Sequence, residues 1–456
     1  MNVQSYLNKL NSGEVTAQSF TRNYLIKMKN NNNLNAIIEI NDNALKEAFN
    51  MQNKAILRGY PILVKDNINT CDNTATSAGS LSLANNIVKE DAPIIQSLRN
   101  FGATILGKSN MTEFANYMVD YTVFQGMPNG YSSRGGQCIH PLNTNKTNSS
   151  NINNKGIHGN FDPSGSSTGS AIAVATGLAH IAIGSETYGS IISPSQRLGI
   201  VGIKPTVGSI STEGVIPISA TLDTLGPMAT CVDDIAIVLG ILHKKNYYTN
   251  LFNKPRIGVY KSYINSENYE IIQANVALLN KLESEGATVI NLNEESDYIN
   301  ETCVFYIMRY EFKKSINNYL QKYANESVPK SLSDIIKFNN ENKDKCLRYG
   351  QNNLIAANEI SDDWQTQGNY VKAINERNYA IQKLESYFNE NNLDIVFMAS
   401  AHCGLAAVTG FPSITVPIYK NKFGLPIGCC LVAQRNKEDV LVKVAKLVEN
   451  IVGCQQ

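Results

Sequence analysis

The sequence predicts an α/β protein whose core is one large mixed, mostly parallel β-sheet covered by helices on both faces. Short apolar runs alternate with helix-periodic segments between Tyr60 and Ala115, a βα rhythm that places helices on both sides of a sheet. From 161 to 208, Gly, Ser and Thr are interleaved with small apolar residues, too apolar for a linker and too glycine-rich for an ordinary core, so backbone must approach something closely there. Strand-like runs resume at Leu393-Asp394-Ile395-Val396-Phe397 and Ser413-Ile414-Thr415-Val416-Pro417, so the sheet is completed from the C-terminal end.

The elements follow in order. Tyr6, Leu7 and Leu10, then Phe20, Tyr24, Leu25 and Met28, recur at helical spacing between Val3 and about Met51. After Gly59, the run Tyr60-Pro61-Ile62-Leu63-Val64 is a buried strand that delivers Lys65 at its end, where a lysine can face a cleft. Ile94 to Phe101 is predicted as a helix, Gly102 to Gly107 as a strand, and Met111 to Ala115 as the start of another helix. The tract from about 143 to 160, rich in Asn, Ser and Thr, is predicted as a surface loop. From about 265 to 390 the composition turns to Lys, Glu, Asn and Tyr at helical spacing, as in Tyr306-Ile307-Met308-Arg309-Tyr310-Glu311-Phe312. The expected organisation is a single domain over 1–456, with a catalytic core at about 55–240 and 390–440 and a helical substrate-side layer at about 265–390.

Bulk composition narrows the function. Hydrophobic residues make up 43% and charged residues 17% of the 456, which supports a substantial core and argues against disorder. Forty basic against thirty-nine acidic residues leave a net charge of +1, with no long-range field for nucleic acid or an anionic membrane, so neither is expected as a partner. The nine cysteines are an odd count without zinc-type spacing and read as reduced thiols of a cytoplasmic protein, with no metal expected. The Met1-Asn2-Val3-Gln4-Ser5-Tyr6 start lacks a secretory pattern, and no run approaches the roughly 18 apolar residues that span a bilayer.

A serine hydroxyl is a poor nucleophile at neutral pH, so amide hydrolysis needs a base for its proton and donors for the oxyanion. Gly165-Ser166-Ser167-Thr168-Gly169 formally matches a Gly-x-Ser-x-Gly elbow, but no apolar strand precedes it. His140, His158, His180, His243 and His402 sit in no recognisable motif, which leaves a Ser-His-Asp reading weak.

Lys65 after its strand, the Gly165-Ser166-Ser167 turn and the Thr187-Tyr188-Gly189-Ser190 turn together resemble the amidase-signature family. The resemblance runs through nearly the whole chain: Gly59 to Asn67, Ser77-Ala78-Gly79-Ser80, Gly107 to Phe114, Val201 to Thr206, Asp223 to Met228, and Gly410 to Pro417, in family order. It implies a lysine acting as base in its neutral form (Lys65), a bridging serine behind a cis peptide (Ser166) and an acyl-forming nucleophile (Ser190), 24 positions after the bridging serine. Desolvation lowers a lysine pKa from about 10.4 by several units, which makes that base physically reasonable. The backbone N–H groups of Thr187, Tyr188, Gly189 and Ser190 are the implied oxyanion hole, and no cofactor is implied.

Around this set, Ser167 is expected to support the turn, Asp66 and Asn67 to orient it, and Lys204 to be structural. Asp162, Arg134 and Tyr188 are candidates for touching substrate; Met118, Met127 and Tyr131 are candidates for lining a pocket, although such residues more often belong to a core. The segments Tyr117-Met118, Met127 to Gln137, Tyr310 to Lys313 and Tyr349-Gly350-Gln351 look like the branch containing peptide amidases, which implies a small-molecule or peptide C-terminal amide as substrate and a monomer or homodimer. The ammonia-releasing subunit of glutamyl-tRNA amidotransferase, which needs partner subunits, is a more distant match. An acyltransferase using the same acyl-serine is a further reading, and a non-catalytic binding protein that keeps the fold is another. The sequence departs from the family at Ser164, usually glycine, at Tyr188, usually smaller or acidic, at the Asn-rich insertion, and at Ser195, Gln196 and Arg197. Tyr188 is expected to narrow the pocket and Arg197 to bring a charge near it.

Overall fold

The computed structural model describes residues 1–30, 32–53, 56–120, 126–143, 161–247, 252, 254–260, 269–292, 300–399 and 404–453; the Asn-rich stretch 144–160 lies outside them. Eleven strands form one sheet: β1 (Ile37–Ile40), β2 (Pro61–Lys65), β3 (Thr104–Ser109), β4 (Ile181–Glu186), β5 (Val201–Lys204), β6 (Thr224–Ala229), β7 (Arg256–Tyr260), β8 (Thr288–Leu292), β9 (Ile395–Ala399), β10 (Ser413–Lys420) and β11 (Pro426–Ala433). Their spatial order is β1-β3-β2-β4-β6-β5-β10-β11-β9-β7-β8. Every residue of β2, β3, β4 and β9 is buried, as a strand covered on both faces requires. In β9, Ile395 and Phe397 pack into one apolar cluster while Val396 and Met398 pack into another, so the period of two divides the side chains between the faces.

The sheet is mixed, as predicted, but antiparallel ladders outnumber parallel ones. Among the described ladders, β2 with β3, β2 with β4, β7 with β8 and β7 with β9 are parallel. The other six are antiparallel. A parallel neighbour needs a crossover across one face. Residues 421–425 instead turn β10 straight back into β11, and no helix lies between β5 and β6.

One large cluster collects apolar side chains of α1 (Val3–Asn11), α2 (Ala17–Asn30), α4 (Pro93–Asn100), α5 (Thr168–Ala175), α7 (Val232–His243), α8 (Tyr269–Ser284) and α14 (Glu438–Val452) against the strands; α3 (Ala44–Met51) packs beside α2. A second cluster is built largely by the helical region, α9 (Cys303–Tyr323), α10 (Leu332–Glu341), α11 (Asn352–Asn358), α12 (Gly368–Glu390) and α13 (Gly404–Thr409), and a third gathers side chains of α12 and α13 with those of β7, β8, β9 and β11. Within α9, Val304, Ile307, Met308, Phe312, Ile316, Tyr319 and Leu320 form the buried stripe, a helical repeat. The stretch that the sequence predicts as a helical layer also holds β8, an edge strand whose Thr288 is exposed and whose middle is only half-buried, so it carries little apolar signal.

A second local difference lies at Glu113–Asn116. Instead of starting an α-helix, Phe114, Ala115 and Asn116 adopt φ of 47°, 52° and 75°. Left-handed backbone costs a non-glycine residue roughly 1–2 kcal/mol. Burial of the Phe114 ring against Phe312 of α9 and the Phe114 N–H to Ala78 carbonyl bond of 2.9 Å offset that cost.

Candidate active site

The parallel strands β2 and β4 end side by side, and the crevice at their carboxyl ends is where an open α/β sheet receives ligands. Lys65 is the last residue of β2 and is wholly buried. Its Nζ lies 2.8 Å from Ser166 Oγ, 2.9 Å from Ser185 Oγ and 3.2 Å from the Ser185 carbonyl oxygen. Burial drives the lysine pKa down to about 7, against the smaller upward pull of the Glu186 and Asp223 carboxylates.

Ser166 and Ser167 stand at the N-terminus of α5. The Gly165–Ser166 peptide bond is cis, as the resemblance implies, and the Ser166 carbonyl accepts the Thr112 N–H at 3.1 Å. The close approach expected of the glycines is real: a β-carbon at Gly169 would overlap the carbonyl oxygens of Ala36 and Asn110, and one at Gly165 would overlap Thr112 Oγ1. Ser167 supports the turn, its N–H donating to the Ser190 carbonyl at 3.1 Å and its hydroxyl to the Ser185 carbonyl at 3.2 Å. Ser164 has φ of 61°, which explains why glycine suits this place; its N–H donates to Asp162 Oδ1 at 2.9 Å.

Residues 187–190 form the turn between β4 and α6 (Ile192–Leu198). Glu186 anchors its far side, with Oε2 accepting the N–H groups of Ile191 at 2.7 Å and Ile192 at 2.9 Å. Thr187 Oγ1 donates to Asp223 Oδ1 at 2.5 Å, and Asp223 Oδ2 takes the Ile218 and Ser219 N–H groups. Burial raises the Asp223 pKa to about 6. Gly189 supplies φ of 80°, and among the described residues no acceptor takes the N–H of Gly189 or Ser190. Such a turn can present donors to an oxyanion.

A cavity of about 620 Å³ lies over this turn. Thr187, Tyr188, Ser190, Ser164 and Gly165 line it from the sheet side, Ala115 and Asn116 from the left-handed segment, and Phe305, Tyr306 and Met308 from α9. The Tyr188 hydroxyl donates to Glu301 Oε2 at 2.6 Å, so this residue does occupy the pocket as expected. Six other candidates do not line it. Met118 is buried in the apolar core because its segment packs under α9. Arg134 turns instead to Glu39 and to Asp66, 3.4 Å away, and so secures the Ser77–Gly79 turn that Asp66 holds. Asp162 is exposed and stands behind two lining residues, accepting from Asn129 Nδ2 at 2.9 Å and from the Ser164 N–H. Arg197 is exposed on α6, so it adds no charge to the cavity wall. Met127 is likewise core, and Tyr131 packs on Tyr349. Lys204 is buried, and its Nζ donates to the Pro205 carbonyl at 3.3 Å.

Three residues of the site escape a reading of the sequence. Ser185 bridges Lys65 to Asn67, whose Nδ2 donates to Ser185 Oγ at 3.0 Å; its place at the end of a strand beside the nucleophile turn is the available signal. Asp223 belongs to a motif that carries the resemblance without disclosing a role. Glu301 has no local signature, because only folding brings it to Tyr188. Among the described residues, no group of three or more His, Cys, Asp and Glu side chains stands together to hold a metal, and no helix is long and apolar enough to cross a membrane.

The chain is similar to known proteins along most of its length. Residues 19–405 match the family model described as Amidase. A probable amidase of Arabidopsis thaliana is 31% identical over 475 residues, spanning 95% of this chain and 86% of that protein. The native peptide amidase of Stenotrophomonas maltophilia superposes with a TM-score of 0.85 at 29% identity, over 99% of this chain and 97% of that one. A mitochondrial glutamyl-tRNA(Gln) amidotransferase subunit of Pediculus humanus subsp. corporis is 28% identical over 499 residues, spanning 97% of this chain and 95% of that protein.

Proposed function

This chain belongs to the amidase family of amide-hydrolysing enzymes, and on that premise we propose that it forms an acyl-enzyme on Ser190 and releases ammonia or an amine from a small-molecule or peptide C-terminal amide. The observation that carries the reading is Lys65: a wholly buried amine with a pKa near 7, 2.8 Å from Ser166 Oγ, beneath a cavity that Ser190 lines. A neutral amine has two N–H bonds and one lone pair. With its N–H bonds turned to the Ser185 hydroxyl and carbonyl, the lone pair faces Ser166 and accepts its proton.

In the proposed cycle Ser190 Oγ attacks the amide carbon while its proton passes to Ser166 Oγ and that of Ser166 to Lys65 Nζ. N–H groups of the 187–190 turn stabilise the oxyanion. The proton then returns through Ser166 to the leaving nitrogen, the C–N bond breaks and the amine departs. Water attacks the ester by the same relay in reverse, giving the carboxylic acid and free Ser190. We take residues 1–456 to act as one catalytic unit, since strands before 230 and after 390 share a sheet. Cys71, Cys138, Cys231, Cys303, Cys346 and Cys429 are in no disulfide, which supports a reducing cytoplasm, and we expect a monomer or homodimer.

The test incubates the pure protein with peptide amides, aliphatic and aromatic amides and glutamine, with and without an added amine, and identifies products by mass. The expected result is ammonia from an amide substrate, with a covalent acyl adduct on Ser190 that Ser190→Ala abolishes. Preferential ammonia release from glutamine would favour the amidotransferase reading, for which the Pediculus relative speaks, and dominant amide exchange would favour acyl transfer.

A further inference from the structure

The cavity over Ser190 carries three charged side chains among its described lining residues: Asp120, Arg309 and Glu301. Arg309 lies 3.8 Å from Asp120, so these two largely neutralise each other at the rim. Glu301 has no cationic partner among the described salt bridges. Its Oε2 accepts the Tyr188 hydroxyl at 2.6 Å, which fixes the carboxylate one side-chain length from the turn that carries Ser190. Gly404 also holds it in place: any β-carbon there would overlap both carboxylate oxygens, so the group seats directly on bare backbone. The rings of Tyr188 and Phe305, 5.5 Å apart, wall the same corner. An immobilised carboxylate flanked by aromatic faces is the environment that recognises an ammonium, by a charge-assisted hydrogen bond and by cation–π attraction.

We infer that Glu301, positioned by Tyr188 and Gly404, is an ammonium-recognition residue, so that the preferred amide carries a primary amine on its acyl side. The inference rests on the proposed amide hydrolysis. In a primary amide the leaving group is ammonia, so the acyl portion is what fills the 620 Å³ and reaches Glu301. A half-buried carboxylate with no cationic partner among the described salt bridges also disfavours a purely hydrocarbon acyl chain, which would cover it without supplying one.

A ladder of ω-amino amides, from 3-aminopropanamide to 7-aminoheptanamide, is compared with the alkyl amides in which a methyl replaces the ammonium. kcat/KM is measured on the wild type, and binding is measured calorimetrically on Ser190→Ala. At the best chain length the amino amide is expected to lead its methyl partner by roughly ten- to hundredfold in both assays. Glu301→Gln should bring that ratio close to one, and Tyr188→Phe should lower it severalfold. Equal values along the whole wild-type ladder overturn the inference, and so does a preference that survives Glu301→Gln. Discrimination in the binding assay with no hydrolysis of any amide would leave the ammonium subsite standing and refute the hydrolase mechanism instead.

Discussion

A lysine at the end of a strand is ordinarily a solvated cation, but Lys65 has no exposed surface, and this single fact changes its chemistry. With its pKa near 7, the amine is half neutral close to physiological pH, and the base fraction grows as pH rises. kcat/KM for an amide should therefore climb about tenfold per pH unit below about 7 and level off above it. Lys65→Ala should cut acylation by several orders of magnitude and remove this limb, measured by single-turnover kinetics on a folded variant; near-normal turnover would refute the base assignment. Asp223 gives a second test at this scale, because its negative charge pulls the Lys65 pKa upward while its carboxylate fixes Thr187. Asp223→Asn removes the pull, so the acidic limb should move to lower pH, and kcat should fall because an amide, with one accepting oxygen, cannot hold both the Thr187 hydroxyl and the Ile218 and Ser219 N–H groups. A purely structural role for Asp223 would lower activity without moving the profile.

At the scale of elements, the site depends on backbone brought unusually close. Helix α5 can start beside β3 only because Gly169 has no side chain where it meets Ala36 and Asn110. Gly169→Ala should destabilise the protein by about 3 kcal/mol or more, read by denaturant unfolding, since backbone atoms cannot move aside as a flexible side chain would. The left-handed segment Phe114–Asn116 is held in a similar way from outside itself. Its sequence, Glu113-Phe114-Ala115-Asn116, is compatible with an ordinary helix and by itself predicts the start of one. The Phe114 N–H bond to Ala78 and the packing of the ring under α9 override that local preference.

Across the whole molecule, the cavity exists because two parts far apart in the chain face each other: the carboxyl ends of β2 and β4, and the helices that follow residue 300. Phe312 of α9 is wholly buried and packs on Tyr117 at 4.4 Å and Phe114 at 6.5 Å, linking the helical side to the segment that lines the pocket. Phe312→Ala should cost about 3–5 kcal/mol of stability. Because Ala115 and Asn116 would lose their support, KM should rise more than kcat falls. A drop in stability with unchanged KM would show that the two sides are independent.

The chain by itself indicated the proposed reacting groups through their family resemblance, and the order in which they occur: the lysine after an apolar strand, two serines 24 positions apart in glycine-rich turns, and the motifs around them. These are legible because each is a local pattern enforced by local geometry, such as close backbone approach at Gly169 or positive φ at Gly189. It also indicated a mixed sheet completed from the C-terminal end, since long buried strands are continuous apolar runs. Tertiary structure alone decided the rest. Ser185 becomes a partner of Lys65 through the β2–β4 register, Asp223 reaches Thr187 across 36 positions, and Glu301 meets Tyr188 across 113. It also turned Arg134 and Met118 away from the pocket and made most ladders antiparallel. A contact between distant segments leaves no periodicity in either of them, so only the packing of the finished fold can show it.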